Sequence, residues 1–224
     1  AMGGVVLSAQ REYPRVAMFK TGMVVETEQA EQVPIRELGR VTSRDFFSMF
    51  DIAFNYGSVW TDAMEGSAEH VVVLSHDLNE KLFGGSDSTG QQIRLNDELF
   101  RIVGVLAPWK PSILFYDVNN GAFDKPEDFY LPISLTPTLE PETYGNTNCW
   151  KPWDEEGYSG FLNSECTWQQ FWVELPDSQA QDAYKSFLDA YFMQQQELGR
   201  YGRPLGTRIS DVEAWLDLNQ IINS

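Results

Sequence analysis

Ser75-His76-Asp77 contains the three residue types of a hydrolytic triad. In such triads the three side chains come from separated positions of the chain and converge in space. Consecutive residues at the start of a helix instead point about 100 degrees apart and cannot pass a proton among themselves. Ser75 follows a β-branched run and precedes an apolar helical pattern, so we predict that it is a helix N-cap.

The two histidines and the glycine-rich stretch do not form a recognisable chemical site. His70 and His76 lie six positions apart without an HExxH pattern or nearby cysteines, so no metal site is predicted. The stretch FGGSDSTG at 83–90 lacks the Lys-Ser/Thr ending of a phosphate-binding loop and follows a helix where such a loop precedes one. We therefore predict no catalytic residue, metal or cofactor.

Aromatic residues and carboxylates are concentrated in the segment 144–172. The rings belong to Trp150, Trp153, Tyr158, Phe161 and Trp168, and the acids are Asp154, Glu155 and Glu156. Aromatics beside carboxylates are typical of a sugar-binding platform or a glycosidase pair. The alternative is that the rings form a small satellite core. The residues alone leave both interpretations open.

Cys149 and Cys166 are the only cysteines. A structural zinc site needs about four ligands, so this pair alone does not predict one. In an oxidising compartment the pair would form a disulfide, which stabilises the fold by about 3 kcal/mol. Otherwise both are small unpaired core thiols, and composition alone does not decide between the two states.

Composition excludes several classes of function. The chain has 224 residues, 42% of them hydrophobic, and a formal net charge of -17. Such acidity repels nucleic acid and anionic lipid, and no basic stripe offsets it. No apolar run is long enough to span a bilayer. The N-terminus lacks the charged and apolar regions of a secretory signal, and its opening AMGG is typical of a cloning scar. We expect a soluble segment cut from a longer protein.

Hydrophobic periodicity supplies the elements that would position these residues. It predicts strands within 15–41, a short helix after an N-cap at Ser43, a strand at 71–74 and a helix at 76–83 that ends at Gly84. The alternation around Asn96-Asp97 predicts a β-hairpin. A strand is also expected in DFYLPISL, within an irregular Pro-rich segment at 107–167.

The last third of the chain has regular periodicity again. WQQFWVELP, at 168–176, predicts a strand, and Asp177 or Ser178 is expected to cap a long amphipathic helix that follows. A final extended piece is expected at 204–215. This order is strand, helix, strand, and it predicts an α+β sandwich with helices on one face of a sheet.

Two of these segments resemble the MacB-like periplasmic core domain of MacB/FtsX-type ABC transporter permeases. They are GRVTSRDFFSMFDIAFNYGSVW, at 39–60, and VVVLSHDLNEKLFGGSDSTGQQIRLNDELFRIVGVL, at 71–106. Together they cover about a quarter of the chain, and the order of the surrounding elements extends the resemblance over most of it.

The resemblance implies an α+β fold in which two strand-helix-strand, porter-like units form a layered domain around an inserted, mostly β, Sabre-like subdomain. The expected parts are 1–72, 73–166 and 167–224. The insertion at 107–166 is longer and richer in Pro and Trp than the family pattern. The implied periplasmic location is oxidising and so favours the Cys149–Cys166 disulfide.

The resemblance also implies a function without catalytic residues in this chain. The domain would lie outside the cytoplasmic membrane between two helices of a permease and transmit ATP-driven motion, for export, efflux or lipoprotein release, to a periplasmic adaptor, lipoprotein or peptide. ATP hydrolysis would belong to a partner ABC ATPase subunit or domain, and the permease would work as a homodimer or heterodimer. The rival hypothesis is a free-standing periplasmic ligand- or carbohydrate-binding module that uses Trp150, Trp153, Tyr158 and Phe161.

Overall fold

The computed structural model describes residues 12–27, 33–152, 156–204 and 206–221, and it consists of a mixed sheet covered on both faces. The strands are β1 (Arg15–Thr27), β2 (Ile35–Thr42), β3 (Phe54–Gly57), β4 (Val71–Leu74), β5 (Gln92–Leu95), β6 (Glu98–Leu106), β7 (Phe129–Pro132), β8 (Asn148–Cys149), β9 (Cys166–Thr167) and β10 (Gln170–Val173). The helices are α1 (Asp45–Met49), α2 (Asp62–Gly66), α3 (His76–Phe83), α4 (Thr136–Leu139), α5 (Gly157–Asn163), α6 (Ser178–Glu197) and α7 (Val212–Leu218). Phe115–Asn120 and Ile133–Leu135 form 3-10 turns. The predicted layered α+β fold is confirmed.

Eight strands form the main sheet in the order β10-β1-β2-β7-β4-β6-β3, with β5 pairing both β1 and β6. The long strand β1 is shared along its length. Its first residues pair antiparallel with β10, from Arg15 opposite Val173, and its last residues pair with β5. The sheet is mixed because β2 and β7 run parallel, as do β4 and β6. β1, the first strand of the sequence, therefore pairs with β10, the last one, as well as with β5.

The core lies on both faces of this sheet. Successive side chains of a strand point to opposite faces. In β4, Val72 and Leu74 accordingly join one hydrophobic cluster, and Val71 and Val73 join the other. All four are fully buried, as expected of a central strand covered on both sides.

Local signals for α3 and the hairpin are confirmed. The Ser75 hydroxyl accepts a hydrogen bond from the Leu78 N–H at 3.0 Å, and Gly84 ends the helix in the left-handed region with φ 60°. Asn96 takes φ 53° in the β5–β6 turn, a conformation that Asn tolerates better than most residues. The Asp177 carboxylate caps α6 by accepting from the Ala180 N–H at 2.8 Å.

Two local predictions are wrong. Ser43 does not cap α1: its hydroxyl accepts from the Ala17 N–H of β1 at 3.0 Å, and α1 begins without a side-chain cap. The extended piece expected at 204–215 is not a strand in its described part. Residues 206–211 belong to no regular element, and α7 follows, capped by Asp211 through the Ala214 N–H at 2.8 Å.

The predicted parts 1–72, 73–166 and 167–224 share the main sheet. β1 and β2 lie in the first part, β7 in the second and β10 in the third, and β4 crosses the first boundary. The division into two porter-like pieces and an inserted subdomain stays a prediction.

Candidate functional site

The Ser-His-Asp triplet is engaged with its own helix. Ser75 caps α3, while His76 Nδ1 lies 3.2 Å from Asp77 Oδ1 and its Nε2 lies 3.7 Å from Glu80 Oε1. His70, at the start of β4, stacks on the Phe100 ring with centroids 4.9 Å apart. Among the described residues, no group of three metal-binding side chains comes together. Ser75 is thus a helix cap and His70 packs on a ring, while His76 and Asp77 lie within ion-pair distance of neighbouring side chains.

An open cavity of about 380 Å³ lies at the start of α3, beside the loops that follow β6 and precede β7. Two ion pairs lie in its wall: Lys110 Nζ lies 3.7 Å from Asp77 Oδ2, and Lys125 Nζ lies 2.7 Å from Asp128 Oδ2. Asp124 and Glu127 also line the cavity, so carboxylates outnumber lysines in its wall.

The aromatic residues of 144–172 separate into exposed and buried members. Trp150 is 55% exposed. The Tyr158 hydroxyl donates to the Pro141 carbonyl at 3.3 Å, and the Phe161 ring lies 5.0 Å from Trp168. Trp168 in turn meets Phe19 of β1 edge to face at 5.0 Å.

Most of the predicted aromatic platform is therefore not a free surface. Phe161 and Trp168 are continuous with one face of the main core. Trp153, Asp154 and Glu155 lie outside the described residues, so the predicted carboxylate cluster has no structural account here. Among the predicted platform rings that the structure describes, Trp150 alone is largely open to solvent, and a ligand or partner surface here stays a prediction.

The predicted disulfide Cys149–Cys166 is present and joins the short strands β8 and β9. Next to it, the Glu165 carboxylate accepts hydrogen bonds from the Gly202 N–H at 2.9 Å and the Arg203 N–H at 3.1 Å. Lys151 Nζ lies 3.3 Å away from the same carboxylate. Burial would raise the pKa of Glu165, but these donors lower it below its usual value. Glu165 thereby ties the chain after α6 to the disulfide.

A buried ion cluster, which sequence reasoning missed, lies beneath the insertion. Arg40 of β2 is fully buried, and its Nη2 lies 2.5 Å from both Asp117 Oδ2 and Glu127 Oε1. The guanidinium also lies over the Tyr116 ring, 4.8 Å from the centroid. The Tyr116 hydroxyl donates to the second oxygen of Glu127 at 3.1 Å. We call Arg40, Asp117 and Glu127 the Arg40 cluster.

The Arg40 cluster joins three distant parts of the chain. Arg40 lies in the first, Asp117 and Glu127 lie in the insertion, and Gln170 of β10 donates from Nε2 to Asp117 Oδ1 at 2.6 Å. Burial raises the pKa of Asp117, and the attraction of Arg40 offsets this rise only in part. Burial would also raise the pKa of Glu127, but there the attraction of Arg40 is stronger and lowers the pKa below its usual value. The two carboxylates raise the pKa of Arg40 despite its burial, so the guanidinium stays charged. The cluster is a cross-link between parts of the fold.

No sequence pattern pairs these groups. Arg40 stands in the strand IRELGRVT as one more polar position, and Glu127 lies 87 positions away. The one feature of the sequence that could have indicated a buried ion pair is the basic residue between Gly39 and Val41, in a stretch of β2 that is buried on both faces. Lys and Arg are rarely fully buried without a charged partner.

A second cavity, of about 390 Å³, lies between β10, α6 and residues 207–210. Its walls are largely apolar and include Trp168, Trp172, Leu188 and Ile209. The Tyr184 side chain also lines it. Tyr184 is 2% exposed, and its hydroxyl has no hydrogen-bond partner within the part of the chain that the structure describes.

The fold is that of extracytoplasmic domains of ABC-type transporters. The structure is similar to the periplasmic region of MacB from Actinobacillus actinomycetemcomitans, with a TM-score of 0.56 and 10% identity over 90% of this chain and 84% of that one. It is also similar to the extracellular domain of the transporter YknZ from Gram-positive bacteria, with a TM-score of 0.55 and 11% identity over 87% and 81% of the two chains. At these identities the likeness shows the fold alone.

The family follows from the sequence itself. The family model of the MacB-like periplasmic core domain matches residues 5–191, so the chain belongs to that family. No curated protein sequence matches it significantly. None of the helices in the described ranges has the length and apolar character needed to cross a membrane.

Proposed function

We propose that this chain is the extracytoplasmic domain of a MacB/FtsX-like ABC permease and transmits ATP-driven motion of membrane helices to a periplasmic partner or substrate. Its expected partners are an ABC ATPase subunit or domain and a periplasmic adaptor, lipoprotein or peptide. A second copy or a paralogue would complete the transporter as a homodimer or heterodimer. In this role the chain itself performs no catalysis.

The observation that carries the proposal is the way in which the early and late parts of the chain are joined. β1 pairs directly with β10, so the early and late strands are neighbours in one sheet. The Arg40 cluster adds a buried charged link from β2 to the insertion and, through Gln170, to β10. A displacement applied to either end would therefore move the insertion with it. That rigidity is what mechanical transmission requires.

The topology in this proposal can be tested in the intact gene and in cells. We expect an apolar span of about 20 residues before residue 1 and three more after residue 224. A Ser58→Cys variant of the intact protein would add an unpaired cysteine at an exposed position, and the unchanged protein serves as the control. A membrane-impermeant maleimide should label it in cells whose outer barrier is permeabilised. Labelling that requires lysis of the cytoplasmic membrane, or a gene without spans, would contradict the proposal.

A further inference from the structure

Strand β10 is an edge of the main sheet. In the described part of the chain it pairs with β1 alone. The Glu174 N–H donates to the Pro14 carbonyl at 3.0 Å, which places the hydrogen-bonding groups of Glu174, Trp172 and Gln170 toward β1. By the alternation of an antiparallel ladder, the N–H and C=O groups of Phe171 and Val173 point away from β1. The outer edge of β10 therefore offers two donors and two acceptors.

The apolar cavity of about 390 Å³ borders this strand and reaches Ala17 of β1. Eight consecutive residues from Cys166 to Val173 line it, so it follows the whole length of β10. Residues 207–210 form part of the remaining wall and belong to no regular element. The space beside β10 is thus bordered by an open strand edge and by a second stretch of irregular backbone.

Tyr184 of α6, which lines the cavity, carries a polar group without a partner among the described residues. Its hydroxyl is buried, and no hydrogen-bonding group of the described ranges lies within reach of it. A buried hydroxyl without a partner costs free energy that a bound acceptor would recover. Together, the open edge and the unsatisfied hydroxyl point to a ligand that carries backbone-like hydrogen-bonding groups as well as apolar side chains.

We propose that the cavity beside β10 binds an extended segment of another polypeptide, which adds to β10 as a further strand. Its side chains on one face would be apolar, to fill the wall formed by Trp168, Trp172 and Leu188, and a carbonyl of the segment would accept from Tyr184. This mode of recognition uses main-chain hydrogen bonds for affinity and side-chain pockets for specificity.

The charge around the cavity predicts which residues flank the apolar part of the bound segment. Arg208 lines the cavity itself, but residues 170–197, which form β10, its connection and α6 around it, contain five acidic residues and one lysine. The whole chain has a net charge of -17. A segment with Lys or Arg on either side of its apolar stretch is therefore attracted, and one with acidic flanks is repelled. The inference deepens the proposed function by naming the chemistry of the periplasmic partner.

The probe is a ten-residue peptide with blocked ends, Lys-Lys-(Val-Thr)₃-Lys-Lys, titrated into this chain and followed by calorimetry. Hydrogen exchange of the wild-type protein reports the geometry. We expect bound peptide to slow exchange of the Phe171 and Val173 amides at least tenfold and to leave the Trp172 amide, already bonded to β1, nearly unchanged. Alternate N-methylation of the peptide removes its donors and should abolish binding, and exchange of its Lys residues for Glu should weaken it at least tenfold.

Protein variants test the two recognition elements separately. Tyr184→Phe removes only the hydroxyl and should weaken binding about three- to tenfold, while Tyr191→Phe on the same helix leaves the affinity unchanged. Val173→Pro removes an outward N–H that takes no part in the sheet and should weaken binding at least tenfold.

Several results would overturn the inference. They are an absence of binding, binding without protection of Phe171 and Val173, equal affinity for the N-methylated peptide, and wild-type affinity in both Tyr184→Phe and Val173→Pro. Occupation of the cavity by an apolar dye but not the peptide, or by a second copy of this chain in sedimentation, would also overturn it. The cysteine-labelling test does not depend on the peptide, so failure of this inference is distinguishable from failure of the proposed function.

Discussion

Arg40 shows how one buried residue can hold separate parts of a fold together. Its charge is compensated by Asp117 and Glu127, and none of the three side chains reaches solvent to any extent. A buried ion pair of this kind is weak evidence for net stabilisation, but removing one partner leaves an unpaired buried charge. The cluster therefore makes the fold sensitive to any loss of Arg40.

We expect Arg40→Met to lower the free energy of unfolding by about 3–5 kcal/mol, because two carboxylates then lie buried without a cation. Urea denaturation followed by tryptophan fluorescence measures the change. Arg36→Met on the same strand is the control, since Arg36 is exposed and lies 3.8 Å from Glu142, and it should cost less than about 1 kcal/mol. Comparable losses in the two variants would show that the cluster is not the cause.

The contact between the Glu165 carboxylate and the N–H groups of Gly202 and Arg203 is expected to be sensitive to acid. Burial would raise its pKa, but the N–H groups of Gly202 and Arg203, together with Lys151, lower it. A lowered folded-state pKa means that the ionised carboxylate stabilises the fold fully above its usual pKa of 4.5. That contribution is lost as the pH falls below 4.5 and passes through the folded-state value.

We therefore expect the stability difference between wild type and Glu165→Gln to be constant from pH 7 to about pH 5 and to shrink between pH 4.5 and pH 3. Denaturation curves for both proteins across this range give the difference directly. Glu142→Gln is the control, since its side chain is 86% exposed. A difference that does not change with pH would mean that the carboxylate charge makes no contribution.

At this scale, sequence reasoning found residues whose partners are near in the chain. Ser75 bonds to a group three positions away, and its role follows from a local pattern. The two carboxylate partners of Arg40 lie 77 and 87 positions away, and the backbone donors to Glu165 lie 37 and 38 positions away. Those contacts depend on which strands become neighbours, which composition and periodicity do not specify. The Cys149–Cys166 pairing was accessible because no other cysteine competes.

At the scale of elements, strands and helices with clear periodicity were predicted and the exceptions have tertiary causes. Ser43 has the residue type of an N-cap, but its hydroxyl satisfies the Ala17 N–H at the end of the β1–β2 ladder. The segment 204–215, predicted to be extended, instead contains the start of α7. The helix is held by Leu216, which is buried, and by the Trp215 indole, which donates to the Phe115 carbonyl at 3.0 Å.

The disulfide holds the short strands β8 and β9 together, which their own hydrogen bonds cannot do alone. Each of these strands has two residues, and an isolated pair of this size is not stable in water. Cys149 and Cys166 close a loop of 17 positions. The bond therefore fixes the two ends of this loop against each other.

We expect Cys149→Ser/Cys166→Ser to lower the free energy of unfolding by about 3 kcal/mol, the value for closing a loop of this length. Guanidinium denaturation of the variant and of wild type, with and without a reducing agent, measures it. Reduction should lower the stability of wild type to that of the variant and leave the variant unchanged. If reduction destabilises both proteins equally, the loss does not arise from this bond.

At the scale of the whole molecule, the sheet order explains how remote segments act as one body. β1 contacts β10 at one end and β5 at the other, so a single strand is bonded to the late part of the chain and to the hairpin. β7 brings the insertion into the centre of the sheet between β2 and β4. Family membership predicted this layered order, while the placement of β7 depends on long-range pairing that no local pattern encodes.

The proposed transmission of motion requires that β1 and β10 stay paired throughout the transport cycle. Arg15 and Val173 face each other in a pair whose hydrogen-bonding groups point outward, where Cα atoms lie about 4.5 Å apart and a disulfide is possible. We expect Arg15→Cys/Val173→Cys in the intact transporter to cross-link on oxidation and to retain transport and ATPase rates within about twofold of the reduced protein, since a rigid body loses no motion by the bond. Val173→Cys alone controls for the substitution. Transport that stops on oxidation and recovers on reduction would show instead that β10 separates from β1 in each cycle, and that the domain works by opening its sheet.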